Sequence, residues 1–174
     1  MLDHSKEVFY NIGLVSGNKR EIFKLINQYI DRFKDIIYWE KSTAAPCIQK
    51  GVINNLVEFI IAFGENNTRR FVNAQFGQGT YWNVIKGNGA NDNEYSDIHK
   101  ATFPVYLPSN IIQNFCPQGG SVIDCFGGTG TTMIAAEQLG RKAYLMELDP
   151  KYCDVIIARW EKFTGRTAEK ICES

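Results

Sequence analysis

The chain has 174 residues, 44% of them hydrophobic, enough for one domain with its own core. Nineteen basic residues balance nineteen acidic ones, which excludes a globally basic surface and leaves any nucleic-acid contact to local clusters. Five cysteines without a CxxC pair argue against a disulfide framework and a zinc site; with no long apolar run and no signal-peptide pattern, they predict a cytoplasmic chain that does not enter a membrane.

Residues 8–14 (VFYNIGL) read as a strand ended by glycine. Asn18, with Glu21 three residues later, has the form of a capping box. Ile22, Phe23, Ile26, Ile30 and Phe33 then recur at helical spacing, predicting a helix over 19–33. Residues 35–40 (DIIYWE) and 56–63 (LVEFIIAF) read as strands that can pair as antiparallel neighbours. Residues 65–98 are rich in Asn and Gly with scattered aromatics, a composition that makes no core by itself and reads as an insertion with short strands or loops lying on the main body. Beyond it, 107–115 reads as a helix, 121–126 as a strand, 131–139 as a helix closed by Gly140, and 143–148 as a strand. Asp149 and Pro150 form a helix start, cap then first helical position, and Tyr152, Val155, Ile156, Trp160 and Phe163 give that helix an apolar face. Strand and helix alternate from residue 121 onward, which implies a parallel sheet covered by helices.

The chemistry-bearing stretch is 124–132 (DCFGGTGTT), between a predicted strand and a predicted helix. Ligands of open α/β sheets bind at that edge. Gly128 and Gly130 let backbone approach a ligand closely, and Thr131 or Thr132 can cap the following helix. A dinucleotide fingerprint would want a third glycine where Met133 stands, which disfavours an NAD-dependent oxidoreductase. An acidic residue closing the next strand can accept hydrogen bonds from the hydroxyls of an adenosine ribose. Glu147 is preferred for that contact over Asp149, whose simpler role is the helix cap.

Asp124-x-Phe126-x-Gly128-x-Gly130-Thr131-Thr132, followed by Glu147-Leu148-Asp149-Pro150-x-Tyr152, closely resembles the cofactor-binding region of amino-methylating DNA methyltransferases. The match is to the class in which this region follows the catalytic motif. His99-Lys100-Ala101-Thr102-Phe103-Pro104 resembles the segment preceding the glycine turn in that class, with Lys100 departing from a frequent proline. The resemblance covers nearly all the chain, most specifically 99–160 and least 65–98. It implies an α/β fold: a Rossmann-like, S-adenosyl-L-methionine-dependent methyltransferase sheet with helices on both faces. The cofactor contacts it implies are His99, Phe103, Asp124, Phe126, Gly128, Gly130, Thr131, Thr132, Glu147 and Asp149. It further implies methyl transfer to adenine N6 or cytosine N4 of double-stranded DNA, with the target-recognition segment at 65–98. Arg69, Arg70 and Lys41 are the candidate DNA contacts, although Lys41 reads more simply as a solvated side chain.

The family's catalytic motif is Asp, Asn or Ser followed by Pro-Pro and an aromatic residue. All five prolines here are isolated, so the motif is absent from this sequence. Its strand would lie in the centre of the sheet, beside strand 121–126. The expectation is therefore a fold lacking that central strand, with no catalytic residue and no metal site of its own. The chain would be inactive alone, as part of a longer protein or with a second polypeptide supplying the motif. Residues 1–64 would be the end of a catalytic subdomain, 65–98 the recognition insertion and 99–174 the cofactor subdomain. The alternatives are a non-catalytic cofactor- or DNA-binding subunit, a remnant of a split methyltransferase, or a methyltransferase acting on RNA or protein.

Overall fold

The computed structural model describes residues 5–15, 17–42, 50–76, 80–87 and 103–171. The chain divides into two compact units, residues 1–89 and 90–174.

The first unit is built on a four-stranded sheet of β1 (Val8–Ile12), β2 (Phe33–Lys41), β3 (Val57–Phe63) and β4 (Val84–Gly87), in the order β1-β3-β2-β4. As expected, β2 and β3 are antiparallel neighbours, with Ile37 opposite Ile60. β1 is antiparallel to β3, and β4 runs parallel to β2. The run Phe59 to Phe63 is apolar at almost every position because β3 is buried on both faces: Ile60, Ile61, Ala62 and Phe63 are all at most 2% exposed.

Helix α1 (Lys19–Gln28) covers one face of this sheet. Ile22, Leu25, Ile26 and Tyr29 pack with Ile61 and Phe63, a spacing of three and four that defines one helical face. Each side chain fully buried this way contributes about 1.5–3 kcal/mol. Phe23 and Ile30, expected on that face, are instead 63% and 49% exposed. The helix is also shorter than 19–33. It gives way to a single 3-10 turn, Ile30–Arg32, because the sheet claims the residues at its end: the Arg32 carbonyl accepts from Gly64 N–H and Phe33 pairs with Phe63. The capping box does not form. Asn18 stands at the cap without a side-chain cap bond; its amide oxygen accepts from Val15 N–H and its amide nitrogen donates to the Gly13 carbonyl, while Glu21 pairs with Lys24.

The beginning of the Asn/Gly-rich stretch is pinned to this sheet. Lys34, 3% exposed, donates to Asn66 Oδ1 and to the Arg70 carbonyl, each at 2.7 Å. Glu7 accepts from the Val72 amide, and Phe71 stacks on Phe9 at 5.9 Å. β4, in the same stretch, is a full member of the sheet.

The second unit runs α2 (Tyr106–Phe115), β5 (Ser121–Asp124), α3 (Thr131–Gln138), β6 (Lys142–Leu145) and α4 (Pro150–Thr164). β5 and β6 are parallel, as the alternation implied. Ile112 of α2 and Ala135 and Ala136 of α3 pack on Val122 and Ala143. On the opposite face Ile123 and Tyr144 are more than half exposed. Both strands stop earlier than expected, β5 at Asp124 and β6 at Leu145. α3 ends as expected, with Gly140 at φ +66°. α4 starts as expected: Asp149 caps it by accepting from Lys151 N–H at 3.0 Å, and Pro150 is its first residue. Its inward face differs from the expectation, since Phe163 is 46% exposed whereas Arg159 is 8% exposed beside Ile156.

Candidate functional site

The chain leaves β5 at Asp124 and makes a tight turn before α3. Asp124 braces both ends of it: Oδ1 accepts from Phe126 N–H at 3.0 Å and Oδ2 from Thr132 Oγ1 at 2.6 Å. Within the turn, Gly130 N–H donates to the Gly127 carbonyl at 2.8 Å, and Gly127 N–H donates to the Met146 carbonyl at 2.9 Å. Gly128 N–H donates to Glu147 Oε2 at 2.7 Å. The other Glu147 oxygen accepts from the amides of Leu148 and Asp149. Asp149 serves α4 as its cap, and Glu147 is the one that reaches the glycine turn.

The three glycines meet different demands. A Cβ on Gly127 would come within 3.1 Å of Ile156, and one on Gly130 within 3.2 Å, so both are small because α4 packs against them. Gly130 is therefore required by packing as well as by its φ of +77°. Among the described residues a Cβ on Gly128 would meet nothing nearer than the Phe126 carbonyl at 3.9 Å, so these residues leave the turn open there, and its φ of +51° also favours glycine. An open, side-chain-free position bordered by a carboxylate suits close approach of a polar ligand.

The threonines do not cap α3. Gly130 is the cap residue and provides no side-chain bond. Thr131 and Thr132 lie in the first turn of the helix, both buried, with Thr132 bonded to Asp124. The first amides of α3 consequently have no side-chain acceptor at the cap position.

Arg159 was missed by sequence reasoning. Its Nη1 donates to the Thr129 carbonyl at 3.0 Å, Thr129 Oγ1 at 3.3 Å and Thr131 Oγ1 at 3.1 Å, so α4 grips the turn by a buried guanidinium. The one signal in the sequence was a lone arginine three residues after Ile156, on the face of α4 that otherwise carries apolar groups.

The remaining candidates are dispersed. Phe126 is 78% exposed next to the turn and is not part of the core. Phe103 is half-buried shortly before α2, and His99 lies outside the described residues. Arg69 pairs with Asp35 at 2.6 Å while remaining largely exposed, and Arg70 is exposed with its carbonyl held by Lys34. Lys41 is not solvated: it pairs with Glu58 at 2.7 Å, lies over the Trp39 ring and is only 16% exposed. Among the described residues no cluster of His, Cys, Asp or Glu could hold a metal ion, and no helix is long and apolar enough to cross a membrane.

A family model described as DNA methylase matches residues 1–159. The type II methyltransferase M.BglI of Bacillus subtilis is 37% identical over 82 residues, covering 45% of this chain and 24% of that protein. M2.LlaDCHI of Lactococcus lactis subsp. cremoris is 25% identical over 161 residues, covering 88% of this chain and 56% of that protein. The chain thus spans between about a quarter and about half of these relatives. Among solved structures, the cytosine-N4-specific PvuII DNA methyltransferase superposes with a TM-score of 0.69 at 21% identity, covering 91% of this chain and 67% of that one. M1.HpyAVI in complex with S-adenosylmethionine gives 0.68 at 18% identity, covering 88% and 72%. The fold is the Rossmann-like methyltransferase fold.

Proposed function

The chain belongs to the DNA methylase family, and from that premise we propose that it is the S-adenosyl-L-methionine-binding portion of a DNA adenine-N6 or cytosine-N4 methyltransferase. The observation that carries the reading is the turn at 124–130, open at Gly128 and bordered by the carboxylate of Glu147. A carboxylate oxygen has two acceptor sites, so the Glu147 oxygen that holds the Gly128 amide can also accept from one ribose hydroxyl. Gly128 admits the ligand next to backbone, Gly130 and Thr131 shape the turn, and Asp124 with Thr132 fixes its ends. Phe126 contributes an exposed ring beside the turn for the adenosine, and Asp149 holds α4 in place. His99 and Phe103 would border the methionine end. When bound, the cofactor supplies an activated methyl group.

The group that holds the target amine comes from outside this sequence, because no Pro-Pro motif occurs in it. Open strand edges support that view: among the described residues β1 ends its sheet, and β5 has β6 as its one partner. A strand carrying the motif, from a longer chain or a second polypeptide, would satisfy an edge such as that of β5. The substrate would be double-stranded DNA with its target base flipped out. Arg69 and Arg70, on the pinned start of the 65–98 segment, are the proposed DNA contacts. Lys41 is not among them, since its charge is engaged by Glu58. Residues 1–64, 65–98 and 99–174 would serve as catalytic-subdomain end, recognition segment and cofactor subdomain. Alternatively the chain is a non-catalytic cofactor- or DNA-binding subunit, a reading favoured by the same missing motif.

Calorimetric titration of S-adenosylmethionine tests the proposal. Saturable binding abolished by Gly128→Val, whose side chain enters the open position, is expected. A folded chain that does not bind refutes the cofactor role. Methyl transfer to DNA by the purified chain refutes the external origin of the catalytic motif.

A further inference from the structure

We infer that Arg159 is a positioning residue for the cofactor, locking the glycine turn in its ligand-ready shape from within α4. The inference rests on the cofactor reading above and adds a residue that never touches the ligand.

Arg159 is 8% exposed, and a guanidinium is rarely buried so far without strong hydrogen bonding. Its Nη1 donates to Thr129 and Thr131, on either side of Gly130. The peptide joining Thr129 to Gly130 is consequently held at both ends. Its carbonyl accepts from Arg159 at 3.0 Å, and its N–H donates to the Gly127 carbonyl at 2.8 Å. A peptide gripped at both ends cannot rotate.

The turn has reason to rotate without that grip. Thr129 is 2% exposed, so losing the guanidinium would leave a buried carbonyl without its charged donor. The glycines flanking Thr129, Gly128 and Gly130, have φ of +51° and +77°, and glycine can leave such values at little cost. The turn therefore contains its own route to an alternative shape, in which Gly128 N–H would no longer lie on Glu147. Arg159 closes that route. A ligand that binds only one shape loses affinity in proportion to the population of the other. Hydrogen bonds from a charged donor are strong enough for the loss to be roughly tenfold or more.

The test is titration of S-adenosylmethionine into the wild-type chain, Arg159→Met, Arg159→Lys, Thr131→Val and the Arg159→Met/Thr131→Val double variant, with thermal melts and amide hydrogen exchange over residues 127–132. Arg159→Met is expected to bind at least about tenfold more weakly while folded, with faster exchange confined to the turn. The double variant should lose no more than Arg159→Met alone, because the contact that Thr131→Val removes is already lost in Arg159→Met, and Arg159→Lys should recover part of the affinity. A lower melting temperature with unchanged affinity and unchanged exchange at the turn would assign Arg159 a merely structural role and overturn the inference. If Arg159→Met does not fold, Arg159→Lys carries the same readouts. If the wild-type chain itself does not bind, the cofactor reading fails, and exchange at the turn alone decides on Arg159: faster supports the lock, unchanged overturns it.

Discussion

Gly130→Ala perturbs the turn in two separable ways. Its φ of +77° is left-handed, which costs a residue with a side chain about 1–2 kcal/mol. The new Cβ would also lie 3.2 Å from Ile156 Cγ1 and 3.3 Å from Cγ2. Ile156 is buried, so it has little room to retreat, and overpacking of this kind costs about 1–3 kcal/mol. The total of about 2–5 kcal/mol is a large fraction of the stability of an ordinary domain. Gly128→Ala is the internal reference. It shares the left-handed backbone but has open space around its Cβ, so it bears only the conformational cost. Urea unfolding of both variants should separate them by about 1–3 kcal/mol, Gly130→Ala being the less stable. In an Ile156→Ala background, which removes the clashing atoms, the two should converge. Equal losses in the wild-type background would refute the argument, since α4 packing would then place no demand on Gly130.

Lys34 gives a pH signature. Burial lowers its pKa below the ordinary 10.5, against opposing contributions from Glu7 and Glu65. Between the folded and unfolded values the unfolded chain holds more protons, so this group makes stability rise with pH toward 10.5. Lys34→Met should flatten that rise in urea unfolding followed as the pH is raised toward 10.5; a slope identical to wild type would contradict it. Removing Glu58 leaves Lys41 partly buried without its carboxylate. Glu58→Ala is expected to cost about 1–3 kcal/mol and Glu58→Gln less, as measured by chemical denaturation. Asp124→Ala breaks the bonds to Phe126 N–H and Thr132 Oγ1 together and should lower stability by about 2 kcal/mol and weaken cofactor binding. Asp124→Asn, which can accept from the one and donate to the other, should retain most of both in parallel melting and titration experiments.

Local chemistry in the sequence was sufficient where the interacting groups are neighbours in the chain. Asp149 and Pro150 start α4 and Gly140 closes α3 because capping requires only residues within one turn of each other. The apolar run of β3 and the spacing of Asp124, the glycines and Glu147 were equally visible, and they led to the right fold. Tertiary structure decided what depends on distant partners. α1 stops at Gln28 because pairing of Phe33 with Phe63 outweighs a helical pattern that continues on paper. Lys41 turns to Glu58, 17 residues away, and Arg159 reaches Thr129, 30 residues away. Asn18 and Thr132, residue types that commonly cap helices, instead bond to Gly13 and Asp124. A long polar side chain has many conformations and no periodicity announces its partner, so only packing of the elements selects the acceptor it meets.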